Sequence, residues 1–233
     1  MTRTAAPDTD LAMPLAEAMR TQRAIRRLRS DPVDDDVVLR CLELATRAPT
    51  GGNRQGWEFV VVRDPAVKHQ LARLNRQAWS VYRRLAQRGS DPGDAQTRKI
   101  IDSVQWQADH FEEIPVVVVA CLHGRPPLLG TPALAAPYYG SVFPAVQNLL
   151  LAARAVGLGA VLVTLPLWSA RLARRTLGLP GSVTPVAAVP LGWPRGKYGP
   201  TTRRPVEEVV HLDRYGHQPF RGTSRTGSPA AAE

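Results

Sequence analysis

Apolar and polar positions along the 233-residue chain follow two periods, one near 3.6 and one near 2, and together they outline an α/β protein. Residues 11–21 and 34–47 carry apolar side chains at three- and four-residue spacing, which predicts two amphipathic helices. Asp34 and Asp35 place negative charge near the start of the second. A strand is expected over residues 57–62. The helical spacing resumes over 66–88 and 96–112, split by the turn-forming Gly89-Ser90-Asp91-Pro92-Gly93, and this pair is where a lid is expected. Pro115 to Leu122 is an unbroken apolar run rich in valine, suited to a buried central strand, and Gly124 to Pro137 reads as a proline-rich loop.

The stretch from Val142 to Trp168 contains one charge, Arg154, and so raises the question of a membrane span. Gln147, Asn148 and the Gly157-Leu158-Gly159 triplet argue instead for a buried helix over 142–156. That helix ends at Gly157 and is followed by a strand at 160–165. The triplet lacks the third glycine and the preceding strand of a dinucleotide fingerprint, so it reads as a helix stop. Thr184 to Gly192 supplies a fourth strand. The first ten residues read as flexible, residues 11–220 as one domain, and the Gly/Ser/Pro/Ala-rich segment 221–233 as a disordered tail.

Composition narrows the picture. A chain of this length with 44% hydrophobic residues can bury a full core. Cys41 and Cys121 stand far apart in the sequence, which predicts reduced thiols and neither a disulfide framework nor a zinc site. The N-terminus has no apolar signal-peptide core, so a cytoplasmic protein is expected, with no membrane partner. The formal charge of +10 is carried almost wholly by arginine, with lysine only at Lys68, Lys99 and Lys197. No run of five basic residues and no helix-turn-helix, RRM or zinc-finger pattern accompanies it, so no nucleic-acid partner is expected. A basic surface nonetheless raises the local concentration of anionic small molecules.

Chemistry concentrates in three segments. Pro49-Thr50-Gly51-Gly52-Asn53-Arg54-Gln55-Gly56-Trp57 sets two amide side chains, Asn53 and Gln55, on a glycine loop between a helix and a strand. Amides both donate and accept, which suits the edge of a flat polar ring. Upstream lies Gln22-Arg23-Ala24-Ile25-Arg26-Arg27, and near the C-terminus Arg203-Arg204-Pro205. Guanidinium groups match phosphate oxygens, and Arg23, Arg26 and Arg203 are the candidates for that role. Arg27 and Arg29 read as solvated surface charges. The five histidines are scattered without metal-ligand spacing and read as structural, and Tyr139-Gly140-Ser141-Val142-Phe143 lacks the glycine that would complete a nucleophile elbow. Ser141 is a candidate for a ring edge. Trp79, Tyr82 and Trp106 read first as packing residues and second as stacking partners for an aromatic substrate.

Taken together, over roughly residues 15–215, these segments resemble the FMN-dependent nitroreductase family. Its members open with an Arg-Arg-Ser-x-Arg-like motif, continue with Ala-Pro-Ser-x-x-Asn-x-Gln-Pro-Trp and close with Arg-Arg-Pro. The resemblance implies an α+β sandwich with a mostly antiparallel sheet flanked by helices, and a homodimer in which both chains contribute to each FMN site. It implies cofactor contacts at Gln22, Arg23, Ala24, Arg26, Pro49, Thr50, Asn53, Gln55, Thr164, Leu165, Arg203 and Arg204. Of these, Arg23 is expected on the phosphate side, and Arg26 beside N1 or O2 of the ring, where positive charge favours the reduced flavin. Gln22 stands where the family commonly has arginine and Ala24 where it has serine, which weakens or removes two phosphate or ribityl donors, and Gly56 stands where it has proline, which loosens the loop without removing a ligand. No catalytic side chain is implied, because the chemistry belongs to flavin N5. NADH or NADPH is the implied hydride donor, and a nitroaromatic, quinone or similar electron-poor small molecule the acceptor, in a ping-pong cycle. The alternatives are a non-catalytic flavin-sequestering protein, or a flavin-fragmenting or dehydrogenating member of the same superfamily. Ala24 counts against the fragmenting branch, where an acidic residue is expected.

Overall fold

In the computed structural model, residues 11–89, 95–126 and 132–222 are described. They fall into two compact units, one up to Gly199 and one from Pro200 onward. The first unit contains α1 (Leu15–Thr21), α2 (Asp35–Ala45), β1 (Trp57–Val62), α3 (Pro65–Gly89), α4 (Ala95–Asp109) and β2 (Val116–His123). It continues through α5 (Pro132–Gly140), α6 (Phe143–Ala155), β3 (Gly159–Ala160), α7 (Ala170–Leu177) and β4 (Val183–Gly192). The second unit holds a 3-10 turn at Val206–Glu208, with Gln218 Nε2 donating to Glu208 O.

The strands form one sheet in the order β1-β2-β4-β3, and every pairing is antiparallel, as the resemblance implies. β2 is buried along nearly its whole length because both faces are covered. Val116, Val118, Ala120 and Leu122 face a core shared with α2 and α6, whereas Val117, Val119 and Cys121 face one shared with α3 and α7. The two-residue period of a strand thus distributes one apolar run between two helical layers. α6 has seven buried residues, which accounts for the apolar stretch that resembled a membrane span. Among the described residues no helix is long and apolar enough to cross a membrane.

Several expected boundaries move, each for a local reason. Helix 11–21 shortens to Leu15–Thr21, since Pro14, at φ −56°, ψ 136°, stands as an extended N-cap. Helix 96–112 stops at Asp109, and residues 111–113 form a separate 3-10 turn that buries Phe111. The loop expected over 124–137 gives way to α5 from Pro132, where proline at a helix start needs no N–H. The strand expected at 160–165 reduces to Gly159–Ala160 plus a single bridge between Val163 and Ala188. Pro166 cannot donate to a ladder, and residues 165–167 turn as a 3-10 helix. α7, capped by Ser169 Oγ accepting from Leu172 N, is an element the hydrophobic pattern did not reveal. Gly157 ends α6 at φ +80°, as a left-handed helix stop requires. Expectations for residues 1–10, 90–94, 127–131 and 223–233 fall outside the described residues.

Candidate functional site

The loop after α2 adopts an uncommon backbone. Gly52, Asn53 and Gln55 have φ of 60°, 52° and 47°, so two residues with side chains sit in the left-handed region within three positions. Short-range bonds hold them there. Asn53 N donates to Thr50 O at 2.9 Å, Gln55 N to Thr50 Oγ1 at 3.0 Å, and Gln55 Nε2 to Asn53 Oδ1 at 3.2 Å. A longer strap ties the loop to the α5–α6 junction, because Gly51 N donates to Ser141 Oγ at 3.3 Å while that hydroxyl donates to Pro137 O at 2.8 Å. Non-glycine residues in this region cost about 1–3 kcal/mol each, and such strain persists where surrounding bonds enforce it.

Beside this loop lies a cleft of about 460 Å³ whose wall includes Thr50, Arg54, Leu122, His123, Tyr138 and Ser141. Tyr138 hydroxyl donates to Gly124 O at 3.3 Å, and burial pushes its pKa above the ordinary phenol value despite an opposing hydrogen bond with Thr184. His123 Nε2 lies 3.0 Å from Glu58 Oε1. His123, expected as purely structural, and Tyr138 join the site only because β1 pairs with β2 and α5 folds over the end of the sheet. No signal in the sequence marks either one. Arg54, by contrast, stands inside the Pro49–Trp57 motif, and the resemblance implies no role for it. Ser141 bonds main-chain groups on both of its sides, which suits a strap and not a nucleophile. Among the described residues no group of His, Cys, Asp or Glu is arranged to hold a metal ion.

The basic segment sits elsewhere. Gln22 N donates to Ala18 O as the C-cap of α1, and the chain then runs along β3, with Ile25 N donating to Ala160 O at 3.1 Å and Arg29 N to Trp193 O at 2.8 Å. Gly159 makes that approach possible, since a Cβ there would lie 2.6 Å from Leu28 Cδ2 and 2.7 Å from Ile25 Cγ2. Arg23 and Ala24 are exposed, and Arg23 Nη1 lies beside Gly199. Arg26 is half-buried, burial lowers its pKa below the ordinary guanidinium value, and among the described residues no carboxylate pairs with it. A desolvated cation without a counter-ion is a place for an anionic or electron-rich ligand. Arg29 pairs with Asp31 at 3.4 Å, consistent with a surface charge. Thr164, exposed, and Leu165, half-buried, follow the Val163 bridge on the same β3 edge.

Within one chain the structure therefore groups Gln22, Arg23, Ala24, Arg26, Thr164 and Leu165 at one edge of the sheet, and Pro49, Thr50, Asn53 and Gln55 at the other. Gly56 meets His123 at the C-terminal end of β2, whereas the 25–29 segment lies by Ala160 and Gly192, beside Val116 at its start. Seven residues of strand and three strand spacings separate the 25–29 segment from Gly56, about 23 Å along the strands and about 14 Å across them, whereas Thr164 and Leu165 follow the Val163–Ala188 bridge, whose Ala188 pairs with Val119 only four residues from His123. Arg203, whose Nη1 donates to Thr202 O at 2.8 Å, and Arg204 are exposed residues of the second unit.

Residues 19–193 match the family described as the nitroreductase family. An NADH dehydrogenase of Thermus thermophilus is 33% identical over 220 residues, covering 81% of this chain and 91% of that protein. A 5,6-dimethylbenzimidazole synthase of Rhodospirillum rubrum is 30% identical over 210 residues, covering 85% and 87%. Among solved structures, one named as a nitroreductase in complex with FMN, from Desulfovibrio desulfuricans, superposes with a TM-score of 0.63 at 26% identity. It covers 87% of this chain and 98% of its own.

Proposed function

The chain belongs to the nitroreductase family, and from that membership we propose that it is an FMN-dependent oxidoreductase, taking hydride from NADH or NADPH and passing electrons by a ping-pong cycle to a nitroaromatic, quinone or similar electron-poor acceptor. The observation that carries this reading is Arg26, a half-buried guanidinium with no carboxylate partner among the described residues. FMN, when bound, supplies the hydride chemistry at N5. The protein's part is to hold, orient and polarise it. Arg23 offers a phosphate a planar fork of donors, and the exposed Arg203 and Arg204 carry the same chemistry. Arg26 places positive charge where a reduced ring accumulates negative charge. Thr164 and Leu165 bring main-chain groups to the ring.

The two corners of the sheet are too far apart to grip one cofactor from within one chain. A homodimer resolves the separation, with Asn53 and Gln55 of the partner subunit bonding the ring held by Arg23 and Arg26. On this reading, residues 11–220 act as a single FMN-binding domain. The Gln22 and Ala24 departures weaken or remove two phosphate or ribityl donors, so FMN is bound less tightly than the full motif would bind it. The test is an absorption spectrum of the purified protein followed by anaerobic addition of NADH or NADPH. A flavin spectrum that bleaches supports the reading, and a protein that neither carries nor takes up FMN overturns it. A second reading, a synthase activity, has the 30% identical relative in its favour. It predicts a flavin that neither nicotinamide donor reduces.

A further inference from the structure

α3 carries Arg76, Ser80, Arg83 and Arg84 at positions i, i+4, i+7 and i+8, one stripe of a helix. This stripe lines a cleft of about 410 Å³ against α4, and none of the residues in its wall is one that the flavin reading uses. The cleft is organised around Gln105. Its Oε1 accepts from Trp79 Nε1 at 2.8 Å and from Arg83 Nη1 at 3.0 Å, while its Nε2 donates to both oxygens of Asp109 at 2.9 and 3.0 Å. Trp79 is buried, and the Tyr82 ring stacks on it at 5.8 Å. These aromatics, expected either to pack or to stack on substrate, therefore stiffen the wall that presents the arginines.

The charges do not cancel. Arg76 is held by Glu112 at 2.9 Å, but among the described residues no ion pair joins Arg83 or Arg84 to a carboxylate. Asp109, the acidic residue of the cleft, has both oxygens bonded by Gln105, a neutral amide that leaves the carboxylate's charge in place, so Arg83 and Arg84 together outweigh it by one positive charge. Two guanidiniums without an ion-pair partner among the described residues, one of them fixed by an amide, form a donor set for a doubly charged phosphate monoester, while the Ser80 hydroxyl donates to Gln77 O at 2.8 Å. The cleft also has a geometric relation to the flavin-facing edge. Leu71 and Ala72 of α3 pack in one core with Leu167, which follows Thr164 and Leu165. From Ala72 the stripe extends from about 6 to about 18 Å along the helix axis.

We propose that the α3–α4 cleft binds a phosphate monoester, the 2′-phosphate of NADPH, through Arg83 and Arg84, and so selects NADPH over NADH. The assignment rests on the oxidoreductase reading for its donor, but its test does not need a flavin. Calorimetric titration of the purified protein with adenosine 2′,5′-bisphosphate and with adenosine 5′-monophosphate, at one ionic strength, reads the site directly. The bisphosphate should bind at least about tenfold tighter, as expected for charge-assisted bonds to a phosphate. The Arg83→Gln/Arg84→Gln double variant should lose that preference, and the ratio of KM for NADPH to KM for NADH should rise about tenfold. Arg47→Gln, which removes one exposed charge outside the cleft, should keep the preference. No discrimination by the wild type, retention of it by the double variant, or an equal loss in Arg47→Gln overturns the proposal. Inorganic phosphate binding as tightly as the bisphosphate overturns the dinucleotide as its source. A protein that discriminates the nucleotides yet oxidises neither donor keeps the site and loses the oxidoreductase reading.

Discussion

Gln55 donates its side-chain amide to Asn53 Oδ1 at 3.2 Å while both residues hold a left-handed backbone, at φ 47° and 52°. The pair is strained and exposed at once, which is a poor arrangement for stability and a suitable one for presenting amides to a ligand.

Gln55→Gly should therefore separate stability from binding. Glycine adopts this φ without penalty, so the variant should gain on the order of 1 kcal/mol in urea unfolding. Its affinity for FMN should fall about tenfold with the lost hydrogen bonds. Alanine would retain the backbone strain and blur the comparison. A variant that loses stability and keeps its FMN affinity would remove the loop from the cofactor site.

Gly159→Ala should disturb the basic segment through the core. The new methyl would meet Leu28 and Ile25 at 2.6 and 2.7 Å, and the chain that positions Arg23 and Arg26 would have to move. A loss of about 1–3 kcal/mol is expected, as for other overpacked sites. FMN affinity, followed by fluorescence titration, should fall with it.

Arg26→Met tests the half-buried cation. With no carboxylate partner among the described residues, the guanidinium is desolvated without compensation, and methionine fills similar space without that cost. The flavin-free variant should melt at or above the wild-type temperature, while FMN binding weakens. A clear fall in the flavin-free melting temperature would show that Arg26 serves the fold instead.

Alkaline stability should depend on the two thiols. Burial raises Cys41 to about 11 and Cys121 to about 12, from an ordinary value of 9.0, and the Glu58 charge adds to the second. A raised native pKa contributes stability that is complete below the unfolded value and is lost as pH climbs through the native one. Unfolding free energy should thus decline from about pH 9 upward, and Cys121→Ala should flatten that decline. An unchanged slope in the variant would refute the assignment.

The fold was largely legible because its strongest signals are local. The Val116–Cys121 run can only be a strand covered on both faces, and Phe143–Ala155 followed by Gly157 can only be a buried helix with a left-handed stop. What was misplaced lies where a proline changes the meaning of its neighbours: Pro14 delays α1, Pro132 begins α5 inside an expected loop, and Pro166 cuts a strand to two residues. Proline is read as a breaker in sequence, yet at a helix start it is a former.

The sequence by itself determined which side chains are available for cofactor chemistry, because Asn53, Gln55, Arg23 and Arg26 are chosen for donors, acceptors and charge, properties that belong to single residues. Only the tertiary structure decided where those groups stand. Antiparallel pairing in the order β1-β2-β4-β3 sends the amide loop and the arginine segment to opposite corners of one sheet, and no local pattern encodes a register between strands sixty residues apart. The same pairing brings His123 and Tyr138 to the loop, and the packing of α3 on α4 gathers Arg83, Arg84 and Gln105 into one cleft. Long-range contacts form between surfaces, and a surface exists only once the chain has folded.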